Sequence, residues 1–576
     1  MCEPLRPMTM QKHARRLAGR RSPTFAELFT PKLVTILREG YGWRDLRADA
    51  IAGLTVAIVA LPLSMAIAIG SGLSPDKGLY AAVIGGFLVS ALGGSRFQIG
   101  GPAGAFIVLI ASVVERHGYD GLVLATMIAG LIMMVVGFLR LGTYIKYIPL
   151  PVLVGFTAGI AVIIFASQAK ELLGLDIPHE PAALWPKIQA IIANARTLNP
   201  LAVGLSILAI AIILGVRRYR PKWPGLLIAV AVTAALTALF GLDVATIGSR
   251  FGGVPSTLPA PHLPAFDLAK MHAVLPDAIA IALLGSIESL LSAVVADGMT
   301  GRRHRSNCEL VAQGTANIAA VAFGGMCVTG TIARTATNVR AGAIGPVSGI
   351  LHALYVLLFM AVAAPLARYI PLACLGAVLA VVAWNMAEKE EFAGLLRSSW
   401  GDAGILLATF LLTIFEDVTI AIATGVTLGA FQFLHRMAEA VEIEAGTPLM
   451  IDDVPDANGV RRPIYDPQAS PNGDVIVYRI SGAFFFGAAA AVGTVLDRIG
   501  EHPKVFILDF TDVPLVDSTA AKALERFVHK LTSSGTRVYI AGARRSVIRS
   551  LLLAGLRKPT VRYVSSVQDA RAHLRA

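Results

Sequence analysis

The sequence predicts a polytopic, mainly α-helical membrane protein that carries a small α/β domain towards its C-terminal end. Three observations carry that expectation. Of 576 residues, 55% are hydrophobic and only 15% charged, with a mean hydropathy of +0.67, whereas soluble domains run near one-quarter charged. Apolar stretches of bilayer length recur between residues 50 and 437. From about Glu444 onward the composition turns hydrophilic, and short β-type runs alternate with helical ones.

The elements follow in order. Residues 1–48 read as a cytoplasmic N-terminal segment. Positions 1–47 hold ten Lys/Arg against four Asp/Glu, the pattern of a tail facing anionic lipid, and no apolar signal core follows the first basic residues. A transmembrane domain is expected over 49–437. Its spans fall near 50–70, 77–94, 121–140, 149–168, 200–217 and 224–241, then near 275–297, 310–324, 345–366, 371–386, 401–416 and 417–437. Two further apolar segments, 103–115 and 331–343, are too short to cross alone. Each follows a Gly/Pro/Thr-rich run: Gln98-Ile-Gly-Gly-Pro-Ala-Gly-Ala105 and Cys327-Val-Thr-Gly-Thr331. Counting both gives fourteen spans. With the N-terminus inside, the cytosolic loops hold Arg140/Lys146, Arg217 to Lys222, Arg302 to Arg305, and Arg397, while loops 169–199 and 242–274 mix signs. That satisfies the positive-inside rule, and an even count returns the C-terminus to the cytosol. The net charge of +12 therefore reads as inner- or plasma-membrane topology rather than nucleic-acid binding.

Gly101 and Gly330 are 229 residues apart (330 − 101), and each opens the third span of a seven-span half, about 49–241 and 275–437. Seven is odd, so the halves have opposite orientation. Inverted repeats with paired broken helices are the usual architecture of secondary transporters, with substrate where the half-helices meet. Arg334 lies between two stretches apolar enough to span. Lipid cannot solvate a guanidinium, so such an arginine faces protein, a watery cavity or an anion. Helix starts rich in glycine and hydroxyl residues leave N–H groups that an anion accepts from, and two N-terminal dipole ends favour the same charge. Glycine and proline can also merely kink packed spans. Two such runs at matching places favour an anion site inside a transporter.

These residues resemble the SulP family of anion permeases. The resemblance runs through four ordered blocks: Ala52 to Ala66 followed by Gly72 to Tyr80; Gly93 to Ala105; Gly285 to Ala293 with Ala296-Asp-Gly298; and Thr329 to Asn338. It implies fourteen spans in two inverted repeats, divided into core and gate domains that move elevator-fashion, a cytoplasmic STAS domain, and a homodimer. It also implies that Gly101, Pro102, Ala103, Gly104, Ala105 and Phe106, with Thr329, Gly330, Thr331, Ile332, Ala333 and Arg334, are the paired half-helix starts. Their N–H groups would hold the anion while Arg334 supplies charge. The alternative for Arg334 is a side chain snorkelling to the cytosolic face. Pro62 deprives span one of a backbone donor and either bends it or lines the pocket. Many relatives carry glutamine after that proline where this chain has Leu63, so substrate identity is not simply inherited.

Glu288 is the acidic residue well inside span 275–297, and Ser292 lies four residues on, on the same helical face. Three roles stay open for Glu288: pairing with Arg334, binding a coupling proton, or helping Ser292 bind sodium. The resemblance places this position beside the ion site of sodium-coupled relatives. No cofactor beyond such a coupling ion is expected. Glu416 and Asp417 read as a solvated loop, and His304 as part of a basic cytosolic loop without catalysis.

The tail contains strands at Asp474 to Ile480, Lys504 to Phe510 and Arg537 to Ala541, with helical stretches near 488–500, 518–533 and 544–554. Residues 438–473 form a linker and variable segment, richest in Pro, Asp, Asn and Gly between Asp452 and Asp474, and 474–576 the α/β domain, or from near 446. Leu508 to Ala520 resembles the STAS signature of anti-sigma-factor antagonists, in which a serine at the start of this helix is phosphorylated; the resemblance implies a regulatory role for Ser518 and a protein partner at this domain. The plainer reading is that Asp517 and Ser518 cap a helix. Cys2, Cys308, Cys327 and Cys374 lack metal spacing. No nucleophile–base pair, metal set or phosphate loop points to an enzyme. The expected cargo is a small anion, sulfate first, with bicarbonate and C4-dicarboxylates next. A nucleobase permease would want acidic or amide groups in the pocket, and a membrane-anchored regulatory scaffold would need no broken helices.

Overall fold

The computed structural model describes residues 24–143, 149–177, 181, 183–220, 223–262, 264, 267–416, 418–439, 442–445, 475–482, 504–533 and 535–575. The helix expected near 488–500, the stretch from Asp452 to Asp474, residues 1–23 of the N-terminal segment, and Lys146, Lys222 and Asp417 lie outside the described residues. The chain divides into two compact units, Met1–Val426 and Thr427–Ala576.

In the first unit, α1 (Phe25–Phe29) and α2 (Lys32–Gly40) precede α3 (Trp43–Gly70), a continuous helix with Pro62 inside it. Helix α4 (Pro75–Tyr80), a π turn (Ala81–Gly85) and α5 (Gly86–Leu92) make the second apolar segment. Strand β1 (Gly100–Gly101) and a 3-10 turn (Gly104–Phe106) lead into α6 (Ile107–Phe138). Gly118, at φ 68° and ψ −176°, breaks α6 between the two segments read from sequence as separate spans. Then come α7 (Leu150–Ser167), α8 (Ala169–Leu173), α9 (Leu184–Ala193), α10 (Pro200–Tyr219), α11 (Gly225–Phe240) and α12 (Ile247–Phe251). Asn199 caps α10 through Leu201 and Ala202 N–H groups, and Pro200 sits at the first helical position where its missing donor costs nothing.

The second half runs through α13 (Leu268–Thr300), α14 (Ser306–Ala322), β2 (Thr329–Gly330), α15 (Ile332–Arg340), α16 (Val347–Ala367), α17 (Leu372–Met386), α18 (Lys389–Ser398), α19 (Trp400–Phe415) and α20 (Val418–Glu439). A helix occupies each of the fourteen apolar segments read from sequence. Among the described residues, seven helical stretches are long and apolar enough to cross a membrane by length and composition. The short helices α8, α9, α12 and α18 lie in stretches the sequence left as loops. Packing relies on small residues, as expected where lipid removes the hydrophobic drive between helices. Helices α6 and α14 touch backbone to backbone: a Cβ at Gly130 would stand 2.6 Å from the Gly314 carbonyl, and one at Gly314 2.3 Å from that of Gly130.

The second unit is a five-stranded sheet in the order β3-β4-β5-β6-β7, with β3 (Glu442–Ala445) antiparallel and β4 (Val475–Ser481), β5 (Val505–Asp509), β6 (Arg537–Ala541) and β7 (Val561–Val564) parallel. Every residue of β5 is buried, the mark of a central parallel strand. Helices α21 (Ser518–Ser533), α22 (Arg545–Leu553) and α23 (Val567–Arg575) complete it. Asp517 Oδ1 accepts the Ala520 N–H at 2.8 Å, so Asp517 is the N-cap, and Ser518 opens α21 with its side chain exposed.

Candidate functional site: a crossing of two broken segments

The two glycine-rich runs meet. β1 and β2 pair antiparallel, with Gly100 opposite Gly330 and Gly101 opposite Thr329. Only glycine fits this crossing. A Cβ at Gly330 would stand 1.4 Å from Nε2 of Gln98, and one at Gly101, itself at φ +155°, would stand 2.2 Å from Nη1 of Arg334. Beyond the crossing each chain turns into a helix, through Pro102 and Ala103 to the 3-10 turn and α6, and through Thr331 to α15.

Helix α15 opens at Thr331 without a side-chain cap, so the N–H groups of Ile332, Ala333 and Arg334 are the first-turn donors that helix geometry leaves without an intrahelical acceptor. Thr331 N–H is committed to the Ile99 carbonyl (3.1 Å), and Phe106 N–H to that of Ala103 (3.2 Å). Ile332 and Ala333 are exposed, whereas Arg334 is 2% exposed. Its Nη2 donates to Ser64 Oγ and to the Pro102 carbonyl, each at 3.2 Å. Its Nε and Nη1, and the buried Oγ1 of Thr331, have no hydrogen-bond partner among the described residues, and no ion pair there involves Arg334. Arg334 thus brings Nη1 beside the Gly101 backbone, with Nε and, three residues earlier in the chain, the Thr331 hydroxyl also unpartnered. Met386 and Ile164 face Gly104, at 3.6 and 3.9 Å from where a Cβ would be.

A polar scaffold from α13 and α14 holds the crossing. Glu309 accepts the N–H groups of Gly94 (2.8 Å) and Ser95 (3.1 Å), and Gln313 Nε2 donates to it at 3.0 Å. Gln98 Nε2 donates to the carbonyl and hydroxyl of Ser289 (3.0 and 2.8 Å). Asn317 clamps Val328 from both sides, donating to its carbonyl at 2.8 Å and accepting its N–H at 2.9 Å. Thr335 Oγ1 accepts Ile99 N–H (3.2 Å) and the Ser292 hydroxyl (2.9 Å).

The residues singled out from sequence divide accordingly. Gly101, Pro102, Gly330, Thr331 and Arg334 stand at the crossing itself. Thr329 turns its hydroxyl to the Gly285 carbonyl at 3.0 Å, and Ala103, Ala105 and Phe106 are buried in the core, so these shape the site from behind. Pro62 is buried in α3, two residues before Ser64. Half-buried Glu288 has no hydrogen bond or ion pair among the described residues, so the pairing with Arg334 considered from sequence is not made. Arg334 Nη2 donates to neutral oxygens instead. Ser292 bonds Thr335. Ser64, Gln98, Ser289, Glu309, Asn317 and Thr335 were missed. Their signal was available: Glu309, Gln313 and Asn317 recur every four residues on one face of an apolar helix.

A family model described as the Sulfate permease family matches residues 46–409, and a STAS domain model matches 466–570. The chain belongs to the sulfate permease family. Members of this family are membrane anion transporters, not enzymes, and this permease shares their multi-pass membrane character. It is 39% identical over 520 residues to YvdB of Bacillus subtilis, provisionally named a sulfate transporter, covering 90% of this chain and 95% of that one. It is 31% identical over 524 residues to the bicarbonate transporter BicA of Synechocystis, covering 88% and 90%. In fold the permease is similar to the murine Slc26a9 anion transporter in its inward-facing state, with TM-score 0.82 at 17% identity, covering 100% of this chain and 99% of that one.

Proposed function

We propose that this permease is a secondary active transporter that carries a small inorganic anion, sulfate first, across the inner or plasma membrane by an elevator-like movement of its core domain. One observation carries the reading: a buried guanidinium with Nε and Nη1 unmatched beside a glycine crossing. An unpaired buried charge costs several kcal/mol, and an oxyanion accepting from both nitrogens removes that cost. The Thr331 hydroxyl and the first turn of α15 add neutral donors, which suit an anion and repel a cation. A doubly charged sulfate gains most from this field. Bicarbonate is the second reading, because a bicarbonate transporter is among the relatives and Leu63 removes a polar pocket wall.

A coupling ion, a dimer, cytoplasmic termini and regulation through Ser518 belong to the same reading. Uptake of labelled sulfate, bicarbonate and succinate into proteoliposomes, under imposed proton or sodium gradients, tests it. Arg334→Ala should abolish uptake of whichever anion moves while the protein remains folded by gel filtration. Normal uptake by that variant would remove Arg334 from the site.

A further inference from the structure

One buried histidine takes no part in the anion site described above. Helix α16 packs along α3 and α5 and brings His352 to the core of the first unit at 0% exposure. Neither Nδ1 nor Nε2 has a hydrogen-bond partner among the described residues. A neutral imidazole presents one donor and one acceptor, and leaving such groups unmatched in an interior costs on the order of 1–3 kcal/mol each. A leucine in this space would carry no such cost.

Its position gives the imidazole a use. A Cβ at Gly86 would stand 3.1 Å from the Gly100 carbonyl and 3.6 Å from both Nδ1 and Cε1 of His352. The ring therefore borders the same patch as the first residue of β1, behind the crossing that Arg334 faces. Two further acceptors from the segments flanking that crossing, Gln98 Oε1 and Asn338 Oδ1, are also buried without partners. The ionisable groups on the elements packed against α16 are few. Helix α3 carries Arg44, Asp45, Arg47 and Asp49 in its first two turns, and Asp49 is occupied by the N–H groups of Ile344 and Gly345 and by the Tyr41 hydroxyl. Helix α4 carries Asp76, Lys77 and Tyr80, and the π turn and α5 carry none. Arg334 brings a charge to the same strand: its Nη1 stands 2.2 Å from where a Cβ at Gly101 would be, one residue along β1 from Gly100.

We propose that His352 is the proton-binding group that couples proton movement to anion transport. The proposal rests on the transport reading given above. The proton arrives from water on the proton-rich side, binds one ring nitrogen, and leaves to water on the other side. An anion docked at Arg334 cancels the positive field that otherwise opposes a second cation. Anion and proton thus favour each other's binding, and linkage makes the effect reciprocal.

Proteoliposomes with purified wild type, His352→Gln and Glu288→Gln test this, using labelled sulfate and labelled bicarbonate. With one proton per anion, an inward gradient of about one pH unit supports about tenfold accumulation. Wild type and Glu288→Gln are expected to accumulate anion under the gradient, whereas His352→Gln should show an accumulation ratio near one. Wild-type accumulation by His352→Gln, or a wild type indifferent to the gradient, overturns the assignment. Failure of wild type to take up either anion, or succinate, sinks the transport reading and this one with it. Should His352→Gln not fold, calorimetry of Glu288→Gln with sulfate, in buffers of different ionisation enthalpy, reads the same linkage. Proton uptake on anion binding supports His352, and its absence overturns the proposal.

Discussion

Arg334 combines burial with incomplete pairing, and that combination sets what its substitutes can do. Lysine keeps the charge but loses the planar fork that offers Nε and Nη1 to one oxyanion. Arg334→Lys is therefore expected to weaken anion binding about 10- to 100-fold, equivalent to about 1.5–3 kcal/mol for a hydrogen bond to a charged group. Titration of the purified protein with the transported anion measures it, and an unchanged affinity would show that only charge matters. Gly330→Ala drives a methyl into Gln98, where a Cβ has 1.4 Å of room. Overpacking of this kind costs about 1–3 kcal/mol, so the variant should melt lower in detergent and lose uptake. Adding Gln98→Ala makes room and should restore part of the melting temperature.

At the scale of elements, α14 matters less as a span than as a rail of polar side chains. Glu309 and Asn317 take up backbone groups that a broken segment inside a membrane must satisfy, and Gln313 donates to the Glu309 carboxylate between them. Glu309→Ala leaves the Gly94 and Ser95 N–H groups without their acceptor and should destabilise the fold by about 1–3 kcal/mol per lost partner. Glu309→Gln keeps one acceptor and should fall between. The informative readout is the ratio of the two effects. If Glu309 acts through the position of β1, affinity for the anion should weaken in step with the melting temperature, although the side chain touches no anion. Equal melting temperatures for wild type and Glu309→Ala would dismiss this role.

At the scale of the whole molecule, the second unit has its own core and its own response to acid. Burial alone would raise the Asp509 carboxyl, but bonds from the Thr511 hydroxyl and N–H and from Arg479 outweigh it and hold the group below its ordinary value. A depressed carboxylate contributes stability above the unfolded pKa of about 3.9, and that contribution is lost as pH falls through the lower folded value. Limited proteolysis of the full chain should therefore cut the tail domain increasingly below about pH 4. Asp509→Asn should be cut faster near neutral pH, with a flatter acid dependence. Identical digestion profiles would mean that Asp509 contributes no pH-dependent stability.

Composition and periodicity determined the class of this protein, because spanning a bilayer demands long apolar helices and those are written locally. The Gly118 break falls in the polar junction between the apolar segments 103–115 and 121–140, which were legible for the same reason. So was the matched spacing of Gly101 and Gly330. Elements such as α9, β3 and β7 were not legible, since four to ten residues carry too little periodic signal to separate them from loop. What only tertiary structure decided is the pairing of Gly100 with Gly330, the approach of Ser64 to Arg334, and the isolation of Glu288 from that guanidinium. These depend on helices far apart in the chain meeting at a particular height. A one-dimensional pattern records which groups need partners in the membrane, and only packing selects which partners they find.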